Sequence, residues 1–469
     1  NDPGNFLDLC RGGHAEDPKA SLKHFKLLKV AGAYWRGDKD KKMLTRIYGT
    51  AFATAEELEE YVHLQEEAKK RDHRKLGQQL DLFTFSPLVG AGLPLFTPRG
   101  TAIRDELSKL LTELQGVAGY AKTDIPHLAK PELYKTSGHW DKFGDSLFHV
   151  KGKGDEPFVV KPMNCPHHTQ IFASRSRSYR DLPIRFAEIT KVYRDEQAGE
   201  LLGLARVRSI TQDDAHVFCT PDQVGQEIAT AMGIIHDFYQ PFDFELTVRL
   251  SLSDSANPDA YLGTPEIWKS AESSLRDALN EHGVEFVEEE GEAAFYGPKI
   301  DYTATDSLKR RWQLATVQLD LNMPERFELK YTDGDGNPQT PIMIHRAISG
   351  AQERFIAVLL EHYNGHLPLW LSPTQVIVLP ISDEQLPYAQ SVAEQFTAAG
   401  VRAEVDQRTE SIGKKIRNAE LMRHPVMLIV GKKEVDADTV AVRDQDGDQG
   451  SKKTATVVAD LAKQIAERI

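Results

Sequence analysis

One segment of this chain, LARVRSITQDDAHVF at residues 204–218, has the period of a β-strand with two chemically different faces. Successive strand side chains point to opposite sides of a sheet, so residues two apart share a face. One face collects cations at one end and an acid beside a histidine at the other, and it comprises Arg206, Arg208, Ile210, Gln212, Asp214 and His216. Such a face suits a substrate with phosphates at one end and an amino group at the other. The alternative is a solvated strand with incidental charges.

Two further residues could join His216 around a metal ion. Cys165 lies in PFVVKPMNCPHH, and His345 ends the apolar run PIMIH. Each alone is more often a packed or hydrogen-bonded core residue. Together they would make a three-ligand zinc site with a position open for substrate, because a structural zinc normally has four protein ligands. If Arg354 serves the same pocket, His345 belongs to a strand and Arg354 to the following helix, since nine residues of one helix would place them on opposite sides.

Composition sets outer limits on the class of protein. A chain of 469 residues, 40% hydrophobic and 27% charged, is typical of a globular protein with about three domains. No apolar run approaches the roughly 18 residues of a membrane helix. Three cysteines, Cys10, Cys165 and Cys219, favour a reducing compartment over a disulfide framework, so we expect a cytoplasmic protein. The net charge of -13 does not exclude nucleic acid, which binds to local patches.

The order of strand-like and helix-like segments along the sequence predicts an α/β and α+β multidomain protein. Residues 54–80 read as a helical linker, begun by a Thr54 cap with Glu57 three residues on. Residues 81–371 interleave short strands and amphipathic helices without a regular period, which favours a mixed, mainly antiparallel sheet with flanking helices. Residues 372–469 alternate strand and helix, as in a small parallel sheet, and lysines and arginines concentrate between 402 and 433. Those cations could bind RNA phosphates or only be solvated.

Motifs throughout the chain resemble those of bacterial threonyl-tRNA synthetases, which are class II aminoacyl-tRNA synthetases. In chain order they are CRGGH, KMLTRIYGTAF, GLPLFTPRGTAIRDEL, MNCPHH, VYRDE, RVRSITQDDAHVF, AFYGPKIDY, WQLATVQLD and IMIHRAISGAQERF. The resemblance implies a class II antiparallel sheet core with a C-terminal anticodon-binding domain. It also implies ATP-dependent ligation of L-threonine to tRNA(Thr), with Mg²⁺ on ATP and one active-site Zn²⁺ per subunit that selects threonine over valine. A homodimer is expected, with its interface around Pro98 and Arg99.

The same resemblance assigns roles to individual residues. The catalytic residues would be Arg194, Arg354 and Lys299, and the zinc ligands Cys165, His216 and His345. Threonine would contact Asp214, Tyr296, Gln212 and Gln313, and ATP would contact Arg194, Glu196, Arg206, Ile210, Gln313 and Arg354. Glu434 and Arg443 are candidates for reading the anticodon, where Thr409 and the acidic residues of 443–450 depart from the family pattern. Ile210 stands where relatives commonly carry an aromatic residue, and Gln313 and Gln318 would lie on opposite strand faces unless a bulge intervenes.

Cys10 and His14 in CRGGH resemble half of the family's editing site, so residues 1–53 would be the C-terminal remnant of an editing domain. The other half, an upstream His-x-x-x-His, does not occur in this sequence, which is either a fragment or a protein without editing. In both cases we expect no hydrolysis of seryl-tRNA by this chain. A noncatalytic synthetase-like regulator that binds RNA is the alternative function. The presence of Arg194, Arg354 and all three candidate zinc ligands favours the enzyme.

Overall fold

The computed structural model of the protein describes residues 15–38 and 40–469. The chain forms two compact units, with the boundary between Lys70 and Arg71. In the part of the chain described here, no helix combines the length and apolar character needed to cross a membrane.

The first unit is a long hairpin followed by a helix. Its elements are α1 (Pro18–Ser21), β1 (His24–Tyr34), β2 (Met43–Phe52) and α2 (Ala55–Lys70). β1 and β2 pair antiparallel, with a bulge between Leu27 and Lys29. α2 begins as predicted, because the Thr54 hydroxyl accepts from the Glu57 N–H at 3.2 Å and the Glu57 carboxylate accepts from the Thr54 N–H at 3.1 Å. The segment predicted as a helical linker therefore starts with this helix.

The second unit begins with α3 and is built around one large sheet. Its elements up to residue 362 are α3 (His73–Gln79), β3 (Phe83–Thr84), β4 (Leu95–Phe96), α4 (Pro98–Val117), β5 (Ala121–Lys122), β6 (Leu128–Ala129), α5 (Pro131–Ser137), α6 (His139–Phe143), β7 (His149–Lys151), β8 (Pro157–Val160), α7 (Cys165–Ala173), β9 (Ile184–Tyr193), β10 (Ser209–Cys219), α8 (Val224–Tyr239), β11 (Glu245–Leu252), α9 (Pro265–Glu281), β12 (Phe286–Glu290), β13 (Lys299–Thr305), β14 (Arg311–Asp320), α10 (Met323–Arg326), β15 (Tyr331–Thr332), β16 (Pro338–Gln339), β17 (Ile342–Ala351) and α11 (Gln352–His362).

The large sheet has eight strands in the order β12-β11-β13-β14-β17-β10-β9-β5. Only its two edge pairs, β11 with β12 and β5 with β9, are parallel. The predicted mixed, mainly antiparallel sheet is therefore confirmed. β10 lies centrally, and its residues Ala215, Val217 and Cys219 join the main core with α8 and Phe355 of α11. The alternate residues of β10 face the other side, where the candidate site lies.

β10 is shorter than the alternating sequence predicts, because it begins at Ser209. Leu202 and Arg206 exchange backbone hydrogen bonds of 3.1 and 3.2 Å, and Gly203 between them has a φ of +50°. The chain therefore turns tightly just before the strand. The prediction that Arg206 and Arg208 share the strand face of His216 is wrong, since both precede the strand.

The C-terminal part of the second unit is a smaller α/β layer. Its elements are β18 (Val376–Pro380), α12 (Leu386–Ala398), β19 (Ala403–Val405), α13 (Ile412–Leu421), β20 (Val426–Val430), α14 (Lys432–Ala437), β21 (Thr439–Asp444), β22 (Gly447–Lys453) and α15 (Thr454–Glu467). The strand order is β19-β18-β20-β21-β22. The first three strands are parallel, as predicted, but β21 and β22 are antiparallel. A turn as short as the one between Asp444 and Gly447 can join only antiparallel strands.

Candidate functional site

Cys165, His216 and His345 converge at one point on the polar face of the large sheet. His216 on β10 and His345 on β17 are direct cross-strand partners, and Cys165 is the first residue of α7. One ligand atom from each of the three lies within 4.8 Å of the other two, and all three residues are buried. The sheet register therefore brings together residues that are 180 positions apart in sequence at most.

The hydrogen bonds around these residues test whether they fit a metal ion. His216 Nδ1 lies 2.7 Å from His168 Nδ1, and His345 Nε2 lies 2.9 Å from Asp320 Oδ2. The opposite nitrogens, His216 Nε2 and His345 Nδ1, are buried without a hydrogen-bond partner in the described structure. A metal-ligating histidine typically binds the ion through one ring nitrogen and a polar neighbour through the other. The residues fit a zinc ion with three protein ligands.

The pKa shifts of His216 and Cys165 also support a metal site. Burial lowers the pKa of His216 well below its usual value, so its ring is neutral and can act as a ligand. Burial, with the charges of Asp214 and Asp320, raises the pKa of the Cys165 thiol well above its usual value. A buried thiol of this kind becomes a thiolate when a cation lies beside it. The donor set is therefore one that a divalent ion would favour.

Residues predicted to contact the amino acid surround this centre. The Tyr296 ring stacks on the His345 ring at 4.9 Å, and its hydroxyl donates to Gln318 Oε1. Asp214 is buried beside His216, and its Oδ2 accepts from Asn164 Nδ2 at 3.0 Å. Burial raises the pKa of Asp214. The wall of the site thus combines a carboxylate, a phenol and an amide next to the candidate metal ligands.

A bulge in β14 decides the orientation of Gln313. The register of β13 with β14 changes from Tyr302 opposite Ala315 to Thr303 opposite Gln313, which leaves Leu314 as the extra residue. Gln313 and Gln318 therefore lie on the same face. Gln313 Nε2 donates to Asp301 Oδ1 at 2.7 Å, and Lys299 Nζ lies 2.8 Å from Asp301 Oδ2. Asp301 holds both residues in place.

Three of the candidate nucleotide residues, Arg194, Glu196 and Arg206, lie in the segment that joins β9 to β10. Arg194 follows β9, and its Nη2 lies 3.1 Å from Met163 Sδ. Its guanidinium also lies 4.9 Å from the centre of the Phe143 ring, and burial lowers its pKa. Glu196 and Arg206, which we predicted to contact ATP, form an ion pair with each other at 2.6 Å.

The remaining predicted residues of the site lie on the elements expected for them. His345 is on β17 and Arg354 on α11, which confirms the predicted strand-then-helix arrangement. Arg354 Nε donates to Ala205 O in the loop before β10, at 3.2 Å. Ile210 and Gln212 are half-buried on β10.

Sequence reasoning missed the residues that support the candidate ligands. His168 is one of them: it lies three residues after Cys165 on α7, which puts the two on the same side of the helix, with His168 behind His216. That spacing was the available signal. Asp320 and Asn164 gave none, because their contacts with His345 and Asp214 join segments that are distant in sequence.

A second cluster of potential metal ligands consists of Asp72, His73 and Glu361. Both nitrogens of His73 have protein partners, because Nδ1 lies 2.6 Å from Glu361 Oε1 and Nε2 accepts from the Leu204 N–H at 3.0 Å. Neither nitrogen is left to bind an ion. The cluster is a hydrogen-bonded connection and not a metal site.

Other predicted positions lie away from this site. Glu434 at the start of α14 accepts from the Gly431 N–H at 3.0 Å, and Arg443 on β21 pairs with Glu420 at 3.2 Å. Both are in the C-terminal layer. The editing-site candidates Cys10 and His14 lie outside the described residues.

Comparison with known proteins identifies relatives over nearly the whole chain. The family model described as tRNA synthetase class II core domain (G, H, P, S and T) matches residues 148–363, and the one described as anticodon binding domain matches residues 375–468. A threonine--tRNA ligase of Porphyromonas gingivalis is 50% identical over 99% of this chain and 72% of its own length. One of Deinococcus deserti is 47% identical over 99% of this chain and 72% of its own length. The crystal structure of the RNA binding domain of threonyl-tRNA synthetase from Cryptosporidium parvum superposes with a TM-score of 0.79 at 36% identity, covering 84% of this chain and 98% of that one.

Proposed function

This chain belongs to the threonyl-tRNA synthetase family and is an aminoacyl-tRNA ligase, and we propose that it activates L-threonine with ATP and transfers it to the 3′-terminal adenosine of tRNA(Thr). The observation that carries this proposal is the convergence of Cys165, His216 and His345. His216 Nε2 and His345 Nδ1, which are buried without a hydrogen-bond partner among the described residues, would bind a threonine-selecting metal.

Zinc bound by these three residues would supply a Lewis acid with room for the amino nitrogen and hydroxyl of threonine. Asp214, on the same strand face as His216, would orient the amino group. Tyr296 and Gln212 would contact the rest of the amino acid. A site that requires a hydroxyl rejects an analogue lacking it by roughly four orders of magnitude, whereas one methyl discriminates far less. Valine should therefore be excluded and serine only partly.

The nucleotide would lie along the loop before β10. Arg194 would bind the α-phosphate and stabilise the charge that develops there when the carboxylate attacks. Arg206 and Arg354 would contact the outer phosphates with Mg²⁺, and Glu196 the adenine. Since Glu196 and Arg206 are paired with each other, ATP would exchange that ion pair for contacts with its own groups. Lys299 and Gln313, held by Asp301, would face the reacting carboxylate and the acyl group that is transferred.

Ile210→Phe is expected to lower the KM for ATP severalfold. Ile210 is half-buried on β10, where it can cover adenine by apolar contact, but a phenyl ring would add stacking worth roughly 1–3 kcal/mol. Initial-rate ATP–pyrophosphate exchange at saturating threonine measures the effect. Ile210→Leu, which changes shape without adding an aromatic ring, is the control. An unchanged or higher KM in the Phe variant would place adenine elsewhere.

The C-terminal layer would bind the anticodon stem through its lysines and arginines. Glu434 and Arg443 are the candidates for base contacts. Each is engaged in one intramolecular contact, to Gly431 and Glu420 respectively, which would position it before tRNA arrives.

A homodimer would cover an apolar stretch just before α4. Leu88 is 99% exposed, and Phe85, Val89 and Leu95 are also exposed. Arg99 is bonded within its own chain, to Leu80 O and Thr374 Oγ1, so we place the contact on this stretch and not on Arg99. Sedimentation should show two chains per particle, and Leu88→Asp should shift the equilibrium towards single chains. A dimer unaffected by Leu88→Asp would contradict this location.

Threonine-dependent ATP–pyrophosphate exchange tests the proposed function. We expect exchange with threonine and Zn²⁺ and at least a hundredfold less with valine. Absence of exchange in a folded, zinc-containing preparation that still binds tRNA would favour the noncatalytic regulator instead.

A further inference from the structure

His73, the first residue of α3, connects two parts of the nucleotide site. Its Nε2 accepts from the backbone N–H of Leu204 at 3.0 Å, in the turn before β10. Its backbone N–H and its Nδ1 both contact Oε1 of Glu361 on α11, at 2.9 and 2.6 Å. All three residues are buried. Water therefore cannot replace these contacts easily.

The protonation of the pair follows from its contacts. Burial raises the pKa of Glu361, but hydrogen bonds from His73 and the charge of Arg310 outweigh this and lower it overall. Glu361 is therefore a carboxylate and accepts a hydrogen bond from the Nδ1–H of His73. Because the Leu204 N–H can only donate, Nε2 must be the unprotonated nitrogen. One neutral tautomer satisfies both contacts.

The side of α11 that carries Glu361 also contacts Ala205, the residue after Leu204 in the turn. Arg354 and Glu361 are seven residues apart, close to two helical turns, so they lie on one side of the helix. Arg354 Nε donates directly to Ala205 O at 3.2 Å. His73 thus holds Leu204, and Arg354 holds Ala205. Arg206 follows immediately.

The turn also packs closely against His73. A Cβ on Gly203 would lie 2.2 Å from His73 Nε2, and Gly203 has a φ of +50°. Glycine is therefore required for the backbone to approach the ring. This close approach places the turn at one position relative to α3.

We propose that His73 is a positioning residue that fixes the turn 202–206, and with it Arg206, for ATP binding. This inference rests on the proposed location of ATP beside Arg206 and Arg354. His73 does not touch the substrate in this arrangement. Its effect on ATP is transmitted by the Leu204 N–H alone, whereas its contact with Glu361 contributes to stability.

Two amide substitutions separate these contacts. In His73→Asn the amide reaches the position of Nδ1 and keeps the contact with Glu361, but it is too short to accept from Leu204. In His73→Gln the amide reaches the position of Nε2 and can accept from Leu204, but it gives up the side-chain contact with Glu361. We expect the Asn variant to raise the KM for ATP roughly tenfold, with the KM for threonine unchanged, because a buried donor loses its acceptor. The Gln variant should keep the ATP KM of the wild type and lose thermal stability.

Limited trypsin digestion provides a readout independent of activity. Arg206 is 45% exposed at its side chain but its neighbour Val207 is buried, so a fixed turn should resist cleavage after Arg206. Cleavage there should be faster in the Asn variant than in the Gln variant. Tyr363→Phe is the matched control, because it removes a hydrogen bond to Phe242 O just after α11 without touching the turn.

Asn and Gln variants with the same ATP KM, or an ATP KM that only follows the melting temperature across all three variants, would overturn the proposal. Wild-type protein without threonine-dependent exchange would instead show that the proposed function fails. Active wild type with an unaffected Asn variant would show that only the role of His73 fails.

Discussion

Arg194→Ala is expected to lower kcat/KM for threonine-dependent ATP–pyrophosphate exchange by about three orders of magnitude. A positioned cation that stabilises developing phosphoryl charge typically contributes a factor of about 100–1000. Arg194 Nε is buried without a hydrogen-bond partner in the described structure, Nη2 lies 3.1 Å from Met163 Sδ, and the guanidinium lies over the Phe143 ring. A cation whose buried Nε has no hydrogen-bond partner is costly to the fold, which is understandable if the guanidinium binds a phosphate. The loss should appear mainly in kcat.

Arg185→Ala is the matched control for this prediction. Arg185 lies near the start of β9, the strand that Arg194 follows, and makes two hydrogen bonds of 2.6 Å to Glu227. Its replacement should reduce stability and leave exchange close to that of the wild type. Exchange within tenfold of the wild type in Arg194→Ala would contradict the assignment of Arg194 to the α-phosphate.

Cys165→Ser is expected to abolish stoichiometric zinc and, with it, threonine activation. Loss of a partner behind a metal ligand typically costs 10–100-fold in metal affinity, so loss of the thiolate itself should cost roughly 100-fold or more. Zinc per chain, measured by elemental analysis after gel filtration, should fall from one to near zero. Threonine should no longer raise the melting temperature.

Cys219→Ser controls for the change from thiol to hydroxyl. Cys219 is also a buried free cysteine, three residues after His216, and it packs in the core on the other face of β10. Its replacement should destabilise the fold but leave zinc content and threonine binding intact. Zinc loss in both variants, or in neither, would contradict the assigned ligands.

Much of the fold and part of the site could be predicted from local pattern. The period of two in 204–218 located β10, although the strand itself begins only at Ser209. The nine-residue spacing of His345 and Arg354 correctly predicted that the first lies on a strand and the second on the following helix. The assignment of the three candidate ligands to one centre came from the family resemblance, because no local pattern links residues 165, 216 and 345. The structure brings them together through sheet register, although the ion itself stays a prediction.

The parts that could not be predicted depend on contacts between distant segments. The strand starts only at Ser209 because residues 202–206 form a turn, which is bonded to His73 more than one hundred residues away in sequence. The bulge at Leu314 reverses the face of Gln313, and no residue type marks it in the sequence. Asp320 and His168 support His345 and His216 through contacts that form only in the folded chain. Such features are determined by tertiary packing and not by the secondary-structure propensities of the residues.

Anomalous scattering at the zinc absorption edge, from a crystal soaked with Zn²⁺ and L-threonine, tests the central claim most directly. We expect one peak about 2.3 Å from Cys165 Sγ and about 2.0–2.1 Å from His216 Nε2 and His345 Nδ1, with the amino nitrogen and hydroxyl of threonine completing the coordination. A peak bound by other residues, or threonine bound without any metal contact, would contradict it.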